Sequence, residues 1–116
     1  MSVKLNQKAY RHAKSLIESG RVVHDERDDW SEDAPSTDEE NRYIDKNGYS
    51  DYSEWHLGVD GDKPDDTKGH YSFPFGDFTK VHRCAIISLE SRAAQNDHDD
   101  IATATKHLLE LIDEKK

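Results

Sequence analysis

The sequence predicts a mainly α fold: a small helical domain ending in a C-terminal antiparallel helical hairpin, with a short β-hairpin before it in an α+β alternative. Apolar residues recur at helical spacing over residues 6–19, 80–95 and 97–113. The last two segments meet at Gln95-Asn96, which leaves room for nothing but a tight antiparallel turn. Tyr71, Phe73 and Phe75 alternate with His70, Ser72 and Pro74, a period of two that suits a strand.

The first helix is expected from Asn6 to Ser19, with Ala9, Tyr10, Ala13, Leu16 and Ile17 on one face. Asn6 is placed as its cap, Leu5 as a staple onto Tyr10 and Gly20 as its stop. Lys8 and Arg11 near its start and Glu18 near its end oppose the helix dipole, so packing has to hold it. Residues 21–50 read RVVHDERDDWSEDAPSTDEENRYIDKNGYS, acidic, aperiodic and broken by Pro35 and Asn47-Gly48. This stretch is expected to be irregular, and either partly disordered or, the favoured reading, pinned by its large residues Trp30, Tyr43 and Tyr49.

Over 51–77 two readings stand side by side. One is a hairpin pairing 55–59 with 71–75, in which Pro74 confines its strand to a sheet edge. The other is a helical turn over 52–57. The helix over 80–95 is apolar around most of its circumference, through Val81, Cys84, Ala85, Ile86, Ile87, Leu89 and Ala93, and so should be central. The last helix lines up Ile101, Ala104, Leu108, Leu111 and Ile112, with Asp97 and Asp100 as an N-cap pair.

Composition bounds the function classes. At 116 residues a single domain over 1–116 is expected, carrying its long acidic irregular segment at 21–50. Charged residues make up 35% and hydrophobic ones 33%, so the core must be economical. A net charge of −9 without a basic cluster opposes direct binding to nucleic acid or to an anionic membrane face. Cys84 is the one cysteine, which excludes an internal disulfide and a paired-cysteine zinc site. No long apolar stretch or signal-peptide core is present, so the cytoplasm is the expected location.

Candidate chemistry is sparse, and no cofactor motif appears. The acidic run Asp60 to Asp66 fails the EF-hand pattern, with Pro64 and Asp65 where Asp or Asn and then Gly are needed; a solvated turn is expected and no metal. None of the seven histidines forms a His-Glu-x-x-His signature. His82 and Arg92 fall on the broad apolar face of their helix and are expected as buried polar residues, His82 bonded to backbone and Arg92 with its guanidinium at the rim. Cys84, mid-helix, reads as a small buried hydrophobe and not as a nucleophile. The aromatic cluster Tyr49, Tyr52, Trp55, Tyr71, Phe73, Phe75 and Phe78 is expected to cover the helical hairpin and to leave some rings for a partner.

The runs WHLGVD (55–60), TKGHYSFPFGD (67–77), KVHR (80–83), RAAQ (92–95) and DIA…LLELID (100–113) resemble an uncharacterised small prokaryotic domain. That domain occurs alone or attached to phage proteins, including prohead-protease-like ones. The resemblance covers the C-terminal half and the first helix, implies a phage or mobile-element setting, and implies no activity, cofactor or catalytic residue.

Together these readings point to a non-catalytic protein-interaction module with a protein partner, contacted through Trp30, Trp55, His56, Phe73 and Phe75. Two alternatives belong to other classes. One is an acidic nucleic-acid mimic that inhibits a host DNA-binding enzyme. The other is an enzyme whose site joins residues distant in sequence, such as His82 with Asp77 or Arg92.

Overall fold

The computed structural model describes residues 3–24, 35–64 and 66–114. Over these the chain runs β1 (Val3–Leu5), α1 (Gln7–Glu18), β2 (Val22–Val23), α2 (Thr37–Ser53), β3 (His56–Asp60), a 3-10 turn (Lys68–His70), β4 (Tyr71–Pro74), β5 (Val81–His82), α3 (Arg83–Gln95) and α4 (Asp99–Glu114). The fold is therefore mixed α+β, the alternative to the mainly α expectation. One hydrophobic cluster joins Ala9, Ala13 and Ile17 of α1 to Leu57, Phe75, Ile86, Leu108 and Ile112. Burying each such Leu, Ile or Phe side chain contributes roughly 1.5–3 kcal/mol.

α1 follows its apolar spacing, burying Ala9, Ala13, Leu16 and Ile17. Its end is a Schellman motif: Arg21 N–H donates to Leu16 O, Gly20 N–H donates to Ile17 O, and Gly20 takes φ +81°. Asn6 stands at the N-cap, but its side chain does not cap. Its Nδ2 instead donates to Ser53 O at 2.9 Å and His56 O at 3.1 Å, tying the start of α1 to the junction between α2 and β3.

β1, β3 and β4 form an antiparallel sheet in that order, with Leu5 opposite Gly58 and Gly58 opposite Ser72. Both readings of 51–77 are present in part, since α2 runs to Ser53 and the hairpin begins at His56. Pro74 lies on the edge strand β4, where a missing N–H costs no ladder bond. β1 and the parallel pair β2–β5 were not anticipated, because two- and three-residue strands carry too little pattern to read.

The C-terminal hairpin is present, and α3 and α4 pack together. Two details differ from expectation. Val81 and His82 belong to β5, so α3 begins at Arg83 with His82 at its N-cap position. Asp97 does not cap α4: it adopts φ +59° and closes α3 in a second Schellman motif, with His98 N–H on Ala93 O and Asp97 N–H on Ala94 O. The favourable charge at the start of α4 comes from Asp99 and Asp100, and Asp100 Oδ2 also accepts from Leu5 N–H at 2.8 Å.

The expectation of an irregular stretch over 21–50 fails in its second half, while residues 25–34, Trp30 among them, lie outside the described residues. Ser36 and Glu39 form a reciprocal capping box that starts α2. The helix shows no apolar periodicity because it is hardly buried: its buried residues, Tyr52 and Ser53, both come after Gly48. At Gly48 the backbone takes φ 84° and ψ 169°, dividing α2 into an outer half, residues 37–47, and a short inner half, residues 49–53.

Candidate interaction surface

Two parts of the fold gather polar or aromatic groups in ways that bear on function. The first is the loop between β4 and β5. Asp77 Oδ1 accepts from the backbone N–H of Thr79 and Lys80, and Asp77 Oδ2 accepts from His82 Nε2 at 2.7 Å. Burial alone would raise the Asp77 pKa, but the hydrogen bonds from His82 and from those two amides bring it below its ordinary value. His82 is buried, as expected, and its Nε2 pairs with the Asp77 carboxylate. With both Asp77 oxygens engaged, the pair fastens a turn.

Arg92 is not buried, contrary to expectation. Its guanidinium lies 5.3 Å from the centroid of the Phe73 ring, a cation over an aromatic face at the solvent edge. Ten residues along α3 from His82, roughly 15 Å at the helical rise, it shares no site with that histidine. Cys84 is buried. Among the described residues, no group of three or more His, Cys, Asp or Glu side chains gathers to hold a metal.

The second part is the aromatic cluster. Trp55, His56, Phe73 and Phe75 are all buried, so none offers a surface to a partner as expected. The reason is packing: these rings lie in or directly beside β3 and β4, and Trp55 sits between His12, edge-on at 4.9 Å, and Phe75, stacked at 5.6 Å. His56 donates from Nδ1 to Tyr52 O, and burial pushes its pKa down to about 4. His12 is likewise held below its ordinary value by burial, against the pull of the Glu54 and Asp51 carboxylates.

Among the half-exposed rings are Tyr43, Tyr49, Tyr71 and Phe78. Tyr43 and Phe78 stack at 4.2 Å with an interplanar angle of 8°. They line an open groove of about 450 Å³ with Glu39, Arg42, Lys46, Asn47 and Thr79. Tyr43 OH also accepts from the indole Nε1 of Trp55 at 3.2 Å. The expectation that Tyr43 pins the acidic stretch therefore holds.

The two halves of α2 are fastened differently. The inner half is tied to α1 through Lys8 Nζ on Ser50 and Asn6 on Ser53, and just beyond it Glu54 lies 3.5 Å from His12. The outer half touches the body through Tyr43 and through Glu40, whose carboxylate accepts from Lys68 Nζ at 3.3 Å. Glu40 also accepts from Tyr52 OH, and burial with that carboxylate nearby raises the Tyr52 pKa. A ring stack contributes about 0.5–1.5 kcal/mol, a neutral hydrogen bond about as much, and a half-exposed ion pair about 0–1 kcal/mol. The outer half is thus held weakly.

Tyr43, Gly48 and Phe78 did not stand out in the sequence as a unit. The available signal was Ser36-Thr37-Asp38-Glu39, a capping box that announces a helix, followed by Asn47-Gly48, which interrupts it. Compared with known proteins, the chain matches no family model, no curated protein and no solved structure.

Proposed function

We propose that this protein is a non-catalytic protein-interaction module whose contact face is centred on the Tyr43–Phe78 stack. That stack carries the reading: two large rings at an open groove, rimmed by charged and amide side chains, have the anatomy of an interface core and its rim. The partner is a protein segment with an apolar or aromatic side chain for the groove. The net charge of −9 favours a basic partner and a salt-sensitive encounter. A partner among phage or mobile-element proteins would fit the resemblance of the C-terminal half to phage-associated domains.

The nucleic-acid mimic ranks lower. Asp38, Glu39 and Glu40 do lie on a helix, but Arg42 and Lys46 follow on the same exposed half and break any phosphate-like array. An enzymatic reading draws no support from Asp77, both of whose carboxylate oxygens are engaged in fastening a turn.

The test is capture from a lysate of the source cells. Thr79→Lys adds a cation to the exposed rim of the groove, where it opposes a basic partner, and Glu110→Lys makes a change of the same sign on α4, on another face. Loss of the captured protein by tenfold or more with Thr79→Lys, but not with Glu110→Lys, supports the reading. Equal capture by both variants removes it.

A further inference from the structure

We propose that residues 37–47 form a hinged arm that swings about Gly48, and that the Tyr43 side chain, when the arm is closed, occupies the protein's own aromatic seat. The seat is the face of Phe78 together with the indole N–H of Trp55, and Tyr43 fills it with a stacked ring and an accepting hydroxyl. Three observations converge on a hinge. No residue of the outer half is buried, whereas the inner half carries Tyr52 and Ser53 into the body. The bonds from Lys8 and Asn6 to α2 all fall after Gly48, and among the described residues the outer half meets the body through the weak contacts of Tyr43 and Glu40. Between the halves stands a glycine at φ 84°, with nothing within 4 Å of where a Cβ would lie, so the joint is free to turn.

Opening the arm uncovers the Phe78 ring and the Trp55 N–H together. A partner segment that offers an aromatic ring carrying an acceptor, as tyrosine does, replaces Tyr43 contact for contact. The arm is then an internal competitor for the Phe78 half of that contact face, with Tyr43 leaving the stack as the partner ring takes its place, and this consequence rests on the interaction reading given above. The swing itself does not.

The experiment uses the full chain with Trp30→Phe, so that Trp55 is the sole tryptophan, and reads acrylamide quenching and hydrogen exchange. Alanine at Gly48 cannot hold φ 84°, so Gly48→Ala drives the two halves toward one continuous helix and lifts the arm. Gly48→Ala and Tyr43→Ala should each raise the Trp55 quenching constant at least threefold, while amides of 83–95 and 99–114 stay protected. In the chain with no arm substitution, amides of 37–47 should exchange at least tenfold faster than those of α4, which requires no variant to fold. Unchanged quenching in Gly48→Ala, or amides of 37–47 that open only together with α4, overturns the hinge. If the arm moves but Gly48→Ala captures no more partner than the parent chain, inhibition by the arm is removed and the hinge stands. Capture that is lost with Thr79→Lys while the arm stays fixed leaves the interaction reading intact and removes the hinge.

Discussion

His82 donates its Nε2 hydrogen to Asp77 Oδ2 across 2.7 Å, joining the end of β5 to the loop that precedes it. Since Asp77 also receives the amides of Thr79 and Lys80, its loss strands three donors at once. Asp77→Ala should cost about 1–3 kcal/mol, read as a lower urea midpoint at pH 7 with an unchanged slope. The Asp77 pKa is depressed in the folded chain, so its contribution is complete above the ordinary carboxylate range and disappears as pH falls below it. An unchanged midpoint would mean that water replaces all three bonds.

A second prediction concerns mild acid. His56 has its folded pKa lowered to about 4 from an ordinary 6.5, so the unfolded chain binds the proton more readily between those values. Stability should therefore be full above pH 6.5 and decline as pH falls toward 4. At about 1.4 kcal/mol per pH unit the loss attributable to His56 approaches ~3 kcal/mol across that window. His12, also lowered, adds in the same direction. His56→Gln keeps a donor for Tyr52 O without the titration, and urea melts from pH 7 to 4.5 should show a flatter decline for this variant. Parallel declines would exclude His56 as the source.

The core gives a third. Leu108 is fully buried in α4, and Leu108→Ala should cost roughly 2–5 kcal/mol through lost burial and the cavity left behind. Asp38 is exposed in the first turn of the outer half of α2, where alanine should cost at most a few tenths of a kcal/mol. Thermal melts of the two variants test the contrast directly.

A fourth comes from the turn between α3 and α4. Asp97 holds φ +59° at a position where glycine is free of strain, so Asp97→Gly should stabilise the protein by about 0.5–1 kcal/mol. A fall in melting temperature would show that the aspartate makes a compensating contribution.

The sequence made legible whatever large apolar faces control. Ala9, Ala13, Leu16 and Ile17 announce α1, and Ile101, Leu108 and Ile112 announce α4, because burial imposes a period on the chain. Pro74 marked an edge because a missing N–H is a local property. The outer half of α2 escaped because its helix is set by a cap and by exposed residues, which leave no apolar period. Asp97 was misread because an aspartate between two helices suits the end of one and the start of the next. The burial of Trp55 depends on His12, Phe75 and Tyr43, which chain order does not bring together. The Tyr43–Phe78 contact is hidden for the same reason.

The pairing of β1 has a consequence for how the protein comes into being. Leu5 finds Gly58 across the sheet, and its amide reaches Asp100, 95 positions further along the chain. α1 likewise rests against α4, which is made after it. During synthesis β1 and α1 therefore leave the ribosome with these docking faces bare, and must wait until α4 has emerged. An amphipathic α1 exposed for that interval is a natural client for a holdase chaperone. Nascent chains arrested before α4 should accordingly be protease-sensitive over α1, with resistance arriving late and all at once.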